Sequence, residues 1–384
     1  MSIGIVGGGA SGLFCAILCA KAGLKVELYE QNSSCAKKIV ASGNGRCNIT
    51  NTNLSKSDYF SQNLSFIDIA LDEFGFYEFS QFCSSLGLLL DIKNDGRVYP
   101  LSNDSKSVST TFINYALHLG VSIHTNTKIN DIKSLLKKHK KVVIATGNLA
   151  APQLGGCDDG LRFAKIFGHN IIPPYPMLVG LHLESKNLKK LSGVKLEGEL
   201  SLFVDGKKTK TILGDVLFSD YGISGFAALD ISCYASEALS KNKNLYLGIN
   251  LLPKLDFQTI LDHLMKNSFM SLQDRLHTLL PLKLARYIAD EFNSKTDTKT
   301  LKQIGDTLQN MKLKLTATHG YKHAEVAGGG VDTKEIDPKT YGSKKQKNLY
   351  FCGEVLDITG SRGGFNFAFA WASAYMVAKD ITRH

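Results

Sequence analysis

The stretch Ser42–Asn51, "SGNGRCNITN", gathers a thiol (Cys47), a guanidinium (Arg46) and three asparagines around two glycines. Only Cys47 and Ile49 are apolar, so it is no ordinary core element. Such a loop suits close approach of backbone to a ligand. Its glycines uncover N–H groups, its cation offsets negative charge, and its thiol is either a small apolar contact or a proton or redox donor. A second stretch, "GGGASG" at 7–12, sets Gly7, Gly9 and Gly12 in G-x-G-x-x-G spacing. The first glycine allows a tight turn, the second lets backbone reach a pyrophosphate, and the third packs helix on strand. Other chemistry-bearing residues are scattered. Tyr221 in "SDYGISG" reads equally as a substrate-side group or a turn former. Asp357 and Arg362 read as a salt bridge or a substrate contact, and His319 and His323 as surface residues. Cys15 and Cys19 share a helix face and read as core.

The elements that must position these groups are legible. "IGIVGGGASGLFCAILCAKAGLKVELYE" predicts a strand at Ile3–Val6, a helix stopped by Gly23, and a strand from Val26 closed by Glu30, 18 residues after Gly12. Glu30 stands where a carboxylate accepts the hydroxyls of an adenosine ribose, and the helix N-terminus offers N–H groups to phosphates. Further on, "KVVIATGN" predicts a buried strand ending in Ala145-Thr146-Gly147. Near the end come a strand at 348–352, a Gly353-Glu354 turn, a glycine-rich loop and a helix from about 365. A strand ending Ala-Thr-Gly, well downstream of the fingerprint, is typical of flavoproteins that bind FAD extended. Glu354 then suits the ribityl hydroxyls, and Gly363 and Gly364 open a helix facing the flavin pyrimidine.

With these stretches in order, the chain resembles the BaiN/RdsA-type NAD(P)/FAD-dependent oxidoreductases, the aminoacetone-oxidase-like flavoproteins. The motifs are "GGGASG", "SGNGRCNITN", "GRVYPLS" at 96–102, "GDVLFSDYGISG" at 214–225, "EVAGGGVD" at 325–332 and "GEVLDITGSRGGFNF" at 353–367. Three positions depart from the family habit: Asn44 and Asn148 stand where glycine is usual, and Ala327 where threonine is. The resemblance implies FAD as cofactor and NAD(P)H as candidate donor. The implied FAD contacts are Gly7, Gly9, Ala10, Ser11, Gly12, Glu30, Gln31, Lys38, Ser42, Gly43, Gly45, Arg46, Asn48, Ala145, Thr146, Gly147, Gly353, Glu354, Gly364, Phe365 and Asn366. Cys47 and Tyr221 are the catalytic candidates, and no metal site is expected.

The expected fold class is α/β. It is a Rossmann-like FAD-binding domain of the two-dinucleotide-binding flavoprotein type, split by an inserted antiparallel β-barrel and a helical subdomain. The expected boundaries are FAD domain 1–171, barrel 172–254, helical insert 255–310, last barrel strand 311–331, and FAD domain 332–384. Residues 172–330 hold no second G-x-G-x-x-G, so NAD(P)H would have to visit the flavin directly.

Composition narrows the function classes. At 384 residues several packing units are expected, with 43% hydrophobic and 21% charged residues as in ordinary globular chains. There is no membrane-length apolar run. Eight cysteines form no C-x-x-C pair, which argues against a zinc or disulfide framework and for reduced thiols in a cytoplasm. The net charge of +10 is spread along the chain, with runs at 137–141, 206–210 and 344–347. These runs read as solvated loop tips or as a polyanion-facing surface.

Three functions are consistent with the resemblance. The first is NAD(P)H-driven reduction of an activated C=C bond, with uridine to dihydrouridine in ribosomal RNA as the leading case. The others are oxidation or reduction of a small molecule in the manner of an amine oxidase, and a flavin-bearing RNA-binding factor without essential turnover. The substrate is expected to dock between flavin and insert. The partners are thus ribosomal RNA or a small molecule, and the oligomeric state is open.

Overall fold

The computed structural model describes residues 2–185, 187–266 and 268–383. It divides into a unit running to Tyr175 and resuming at Val326, and a unit spanning Pro176–Glu325.

The first unit is built on five parallel strands. Their order is Leu349–Phe351, Lys141–Ile144, Ser2–Val6, Lys25–Tyr29, Ser122–His124. Ile3, Ile5, Val142, Val143 and Phe351 are fully buried, as continuous apolar runs in a sheet covered on both faces should be. The register sets Phe351, Ile144, Val6, Tyr29 and His124 in one row. Every loop leaving the sheet at that row therefore starts from the same edge. Helix Ala10–Lys21 packs against the last helix, Phe365–Thr382, within one apolar core. Phe14, Phe79, Phe112 and Trp371 anchor that core, with Phe79 and Trp371 stacked at 5.2 Å. Residues 64–85 form a short 3₁₀ turn and the helices Asp68–Glu73 and Phe76–Ser85.

The second unit has its own core. Six strands close into a barrel in the order Leu181–Glu184, Gly222–Ser224, Lys207–Phe218, Lys195–Val204, Leu245–Asn250, Met311–Thr318. Along Lys195–Val204, Leu200 and Leu202 are buried while Glu199, Ser201 and Phe203 alternate to the other face. Four helices lie between residues 257 and 310, and Leu264, Leu284 and Ile304 are fully buried there.

Two features of the insert differ from expectation. Strand Val326–Val331 does not join the barrel, whose last strand stops at Thr318; it pairs with Ile171–Met177. The reason is its glycine run. A β-carbon on Gly329 would come within 2.6 Å of Pro173 O, and one on Gly330 within 2.7 Å of Leu356 C. Only bare backbone can lie between those segments. The stretch read wholly as barrel also contains a helix, Phe226–Ser240. No helix among the described residues is long and apolar enough to cross a membrane. All eight cysteines are free.

Candidate functional site

Four of the five strands deliver chemistry to the shared edge. After Val6, Gly7 turns the chain at φ +103°, and Ala145 N–H donates to Val6 O at 2.8 Å. A β-carbon on Gly12 would overlap Gly7 O, so the third glycine is what seats the helix on its strand. Gly9 is different. Nothing lies within 4 Å of its would-be β-carbon, and its backbone is extended. The fold does not need glycine there; the space it keeps open does. Gly9 caps the helix with no side-chain bond, so the N–H groups of Ala10, Ser11 and Gly12 lack a capping partner. Ser11 Oγ also reaches Cys352 O at 3.4 Å, tying the helix to the last strand.

Glu30, 7% exposed, is held by three donors. Gly8 N–H donates to Oε2 at 2.8 Å, while Asn32 donates to Oε1 from its backbone at 2.8 Å and its amide at 2.6 Å. A carboxylate offers about four lone-pair sites, which leaves about one for a ligand. That narrows the expectation that Glu30 accepts a whole ribose diol. Gly8 and Asn32 are the positioning residues that sequence reasoning missed. Gln31 turns away and donates to Gly155 O at 3.2 Å.

A second carboxylate stands at the far strand. Glu354 accepts Lys38 Nζ at 2.8 Å and Ala327 N–H at 2.9 Å. Gly147, at φ +71°, leaves its β-carbon position 3.9 Å from Glu354 Oε2. Thr146 Oγ bonds Gly147 O at 3.4 Å, and Gly353 N–H donates to Ser373 Oγ at 2.9 Å. Lys38, Ala145–Gly147 and Gly353-Glu354 are thus gathered together. Asn148, where the family favours glycine, is fully buried and donates to Gly329 O at 3.2 Å.

Loop 42–51 explains its own composition. Gly43, Asn44, Gly45 and Cys47 all take positive φ, between +54° and +81°. Asparagine tolerates that region best after glycine, which accounts for Asn44. Ser42 Oγ bonds Ile39 O at 2.8 Å, and Asn48 Oδ1 accepts Val98 N–H at 3.3 Å. Trp371 Nε1 donates to Ile49 O at 2.8 Å, and Asn51 Nδ2 to Gly363 O at 2.9 Å. The loop is thereby sewn to the start of the last helix, where a β-carbon on Gly364 would overlap Thr50 O. Arg46 is exposed, its guanidinium 5.4 Å from the Tyr99 ring centre. Asn366 spends its amide on Gly360, at 2.7 and 2.8 Å, and Phe365 O accepts Tyr59 OH at 3.1 Å. These two residues shape the loop rather than present polar groups. Cys47 corrects an expectation. It has no exposed surface, and burial pushes its thiol up to about 12. It packs as a core contact, and its burial disfavours the thiolate.

Within the second unit, four rings from three segments cluster, with Tyr221 stacked on His182 and His319. Tyr221 and His319 lie 3.8 Å apart and 9° from parallel; His182 is 4.8 Å from Tyr221, and His323 is 4.1 Å from His319. His182 Nε2 and His319 Nδ1 share a hydrogen bond at 3.0 Å. Burial holds His319 below the usual imidazole range, helped by the neighbouring His323 and His182. The two histidines do not share a strand face, because the strand ends at Thr318 and a 3₁₀ turn returns His323. Nothing in the spacing of residues 137 apart announces the His182 contact.

The model of the HI0933-like protein Rossmann domain matches residues 1–380. The chain belongs to this family. The HI0933-like chain is 30% identical over 401 residues to a 3-dehydro-bile acid delta(4,6)-reductase of Clostridium scindens, covering 98% of each. It is 31% identical over 398 residues to a ribosomal RNA dihydrouridine synthase of Escherichia coli, covering 98% of this chain and 97% of that one. Among solved structures, a 3-ketosteroid-delta4-(5alpha)-dehydrogenase of Rhodococcus jostii RHA1 aligns with a TM-score of 0.49 at 12% identity, over 98% of this chain and 96% of that one.

This HI0933-like protein is an FAD-dependent oxidoreductase. Its residues fit the cofactor. The open space at Gly9 beside uncapped N–H groups suits a pyrophosphate, and Glu30 at the second strand suits the adenosine ribose. Lys38 and Glu354 bring paired charge to the same sheet edge.

Proposed function

We propose that this chain reduces the C5=C6 bond of uridine in ribosomal RNA, with NAD(P)H as electron donor. The observation that carries the reading is the 31% identity, over nearly the whole chain, to a protein named for that reaction. The charge balance of +10 is consistent with a polyanionic substrate.

FAD, when bound and reduced by NAD(P)H, would supply the hydride. The remaining work falls to the chain. Gly9, the first helical turn and Glu30 would hold the adenosine diphosphate half; Lys38, Glu354 and loop 42–51 would hold the ribityl and ring half. Hydride goes to C6, which is electron-poor because the C4 carbonyl withdraws through the double bond. A proton must then arrive at C5. With Cys47 buried, we assign it to Tyr221, whose ring is fixed by the His182 and His319 stack.

The test is mass spectrometry of ribosomal RNA from a deletion strain. Dihydrouridine should be lost at a defined position, and restored by the parent chain but not by Gly9→Val. If the modification persists, the second reading takes over. The 30% identity to the bile-acid reductase favours a ring C=C bond in a small apolar ketone. NAD(P)H consumption with such a ketone would mark it.

A further inference from the structure

We infer that the outer face of the barrel holds a single-stranded RNA segment in a groove formed by Glu199, Phe203, Lys208, Asn250, Asn310 and Lys312. The inference rests on the ribosomal RNA reading for its substrate, but the groove stands on its own geometry. It has a volume of about 250 Å³. That is below the ~300–1,000 Å³ of clefts for whole drug-sized ligands, and so suits part of a longer chain.

The groove exists because of strand register. Phe203 is opposite both Lys208 and Tyr246, and Gly248 is opposite both Ser201 and Lys312. Gly248 has no side chain to fill the middle, and the Phe203 ring leans over it, 3.1 Å from where a β-carbon would be. Lys312 Nζ sits 4.5 Å from the Phe203 ring centre and 5.2 Å from that of Tyr246. The rings hold the ammonium in place without neutralising it.

Charge selects the occupant. Elsewhere on the barrel, Lys195 pairs with Asp215, Lys243 with Asp205, Lys254 with Glu197 and Lys314 with Glu184, while Lys210 lies over the Tyr234 ring. Lys208 and Lys312 have no ion pair among the described residues, and Lys207 beside them has none either. Edge protection does not explain them, because a closed barrel has no edge to protect. Two unpaired ammonium groups beside aromatic rings match the pattern by which barrels grip single strands: cations on phosphates, π-faces near bases. The amides are half spent. Asn250 Oδ1 accepts Leu252 N–H at 3.0 Å, and Asn310 Nδ2 donates to Asp306 at 3.0 Å. One amide keeps a donor and the other an acceptor for base edges. Glu199 is the one acid in the groove and opposes phosphate there.

The experiment is fluorescence anisotropy of the FAD-loaded protein with a labelled, unstructured single-stranded RNA across a salt series. For the Lys208→Gln/Lys312→Gln double variant, the slope of log affinity against log salt should fall by about 1.4, at ~0.7 per lost phosphate contact. Glu199→Gln should tighten binding, the opposite sign. The flavin spectrum checks folding. Identical slopes for parent and double variant would overturn the groove, as would no RNA binding by the parent. Tighter binding of polyglutamate than of RNA would overturn it in favour of an acidic protein partner. RNA binding that follows the groove without any uridine reduction would keep the groove and remove the reaction. Uridine reduction whose KM the double variant leaves unchanged would do the reverse.

Discussion

The Lys38 ammonium lies 2.8 Å from Glu354 Oε2, joining residues 316 positions apart. The pair binds the segment after the second strand to the turn after the last one. Their side chains are 29% and 18% exposed, so the pair is screened less than a surface bridge. Lys38→Met should cost about 1 kcal/mol. In a unit of this size that lowers the apoprotein Tm by roughly 2–4 °C. An unchanged melting curve would mean the contact holds nothing together.

Gly9→Val and Gly12→Val should fail in opposite ways. At Gly9 the side chain meets no protein atom and the backbone is extended, so the apoprotein should fold like the parent and lose FAD. At Gly12 it would collide with Gly7 O, so folding itself should suffer. Circular dichroism with flavin occupancy separates the two. A Gly9→Val protein purified with full FAD would move the phosphate site elsewhere.

Glu30→Ala removes a carboxylate that three donors address, and it orphans the buried Gly8 N–H. Flavin affinity should fall by about 1.5–3 kcal/mol, the worth of charged hydrogen bonds. Titration of FAD fluorescence measures it. Full occupancy at low FAD would remove Glu30 from the site.

Cys47→Ala should leave the pH–rate profile of the proposed uridine reduction unchanged, since the thiol is fully buried and burial pushes it up to about 12. Tyr221→Phe should slow turnover by about 100-fold or more, the scale of general acid catalysis. Flavin reduction by NAD(P)H, followed by stopped flow, should stay at the parent rate. If Tyr221→Phe turns over normally, the proton comes from another group.

Stability should fall on mild acidification. Burial holds His139 and His169 below the usual imidazole range, against the pull of Glu27 and Glu335. Below about pH 6.5 the unfolded chain binds protons that the folded one refuses. The contribution is complete above that pH and is lost as pH drops through the depressed folded values. Urea midpoints at pH 7.5 and 5.5 should show the decline, and His139→Gln should reduce it. Equal midpoints would mean both rings are charged in the folded protein.

What the sequence determined by itself is local chemistry. A strand, a glycine turn, a helix and Glu30 fall within 30 residues. Short-range sterics and apolar periodicity encode such a unit without help from the rest of the chain. Loop 42–51 was legible as a segment of close backbone approach from its glycines, while its run of positive φ, Cys47 included, came only from the structure. Only the tertiary structure decided which distant groups meet. The parallel register brings Tyr29, Val6, Ile144 and Phe351 abreast, which starts the segments of Lys38 and Glu354 from one edge. Core packing hid Cys47, a residue whose neighbours in sequence are exposed or only half-buried. Barrel closure set His182 against His319 and placed Lys208 and Lys312 beside Phe203 and Gly248, without an ion pair among the described residues. Such meetings depend on how whole strands register and pack, a sum over many weak contacts that no local spacing records.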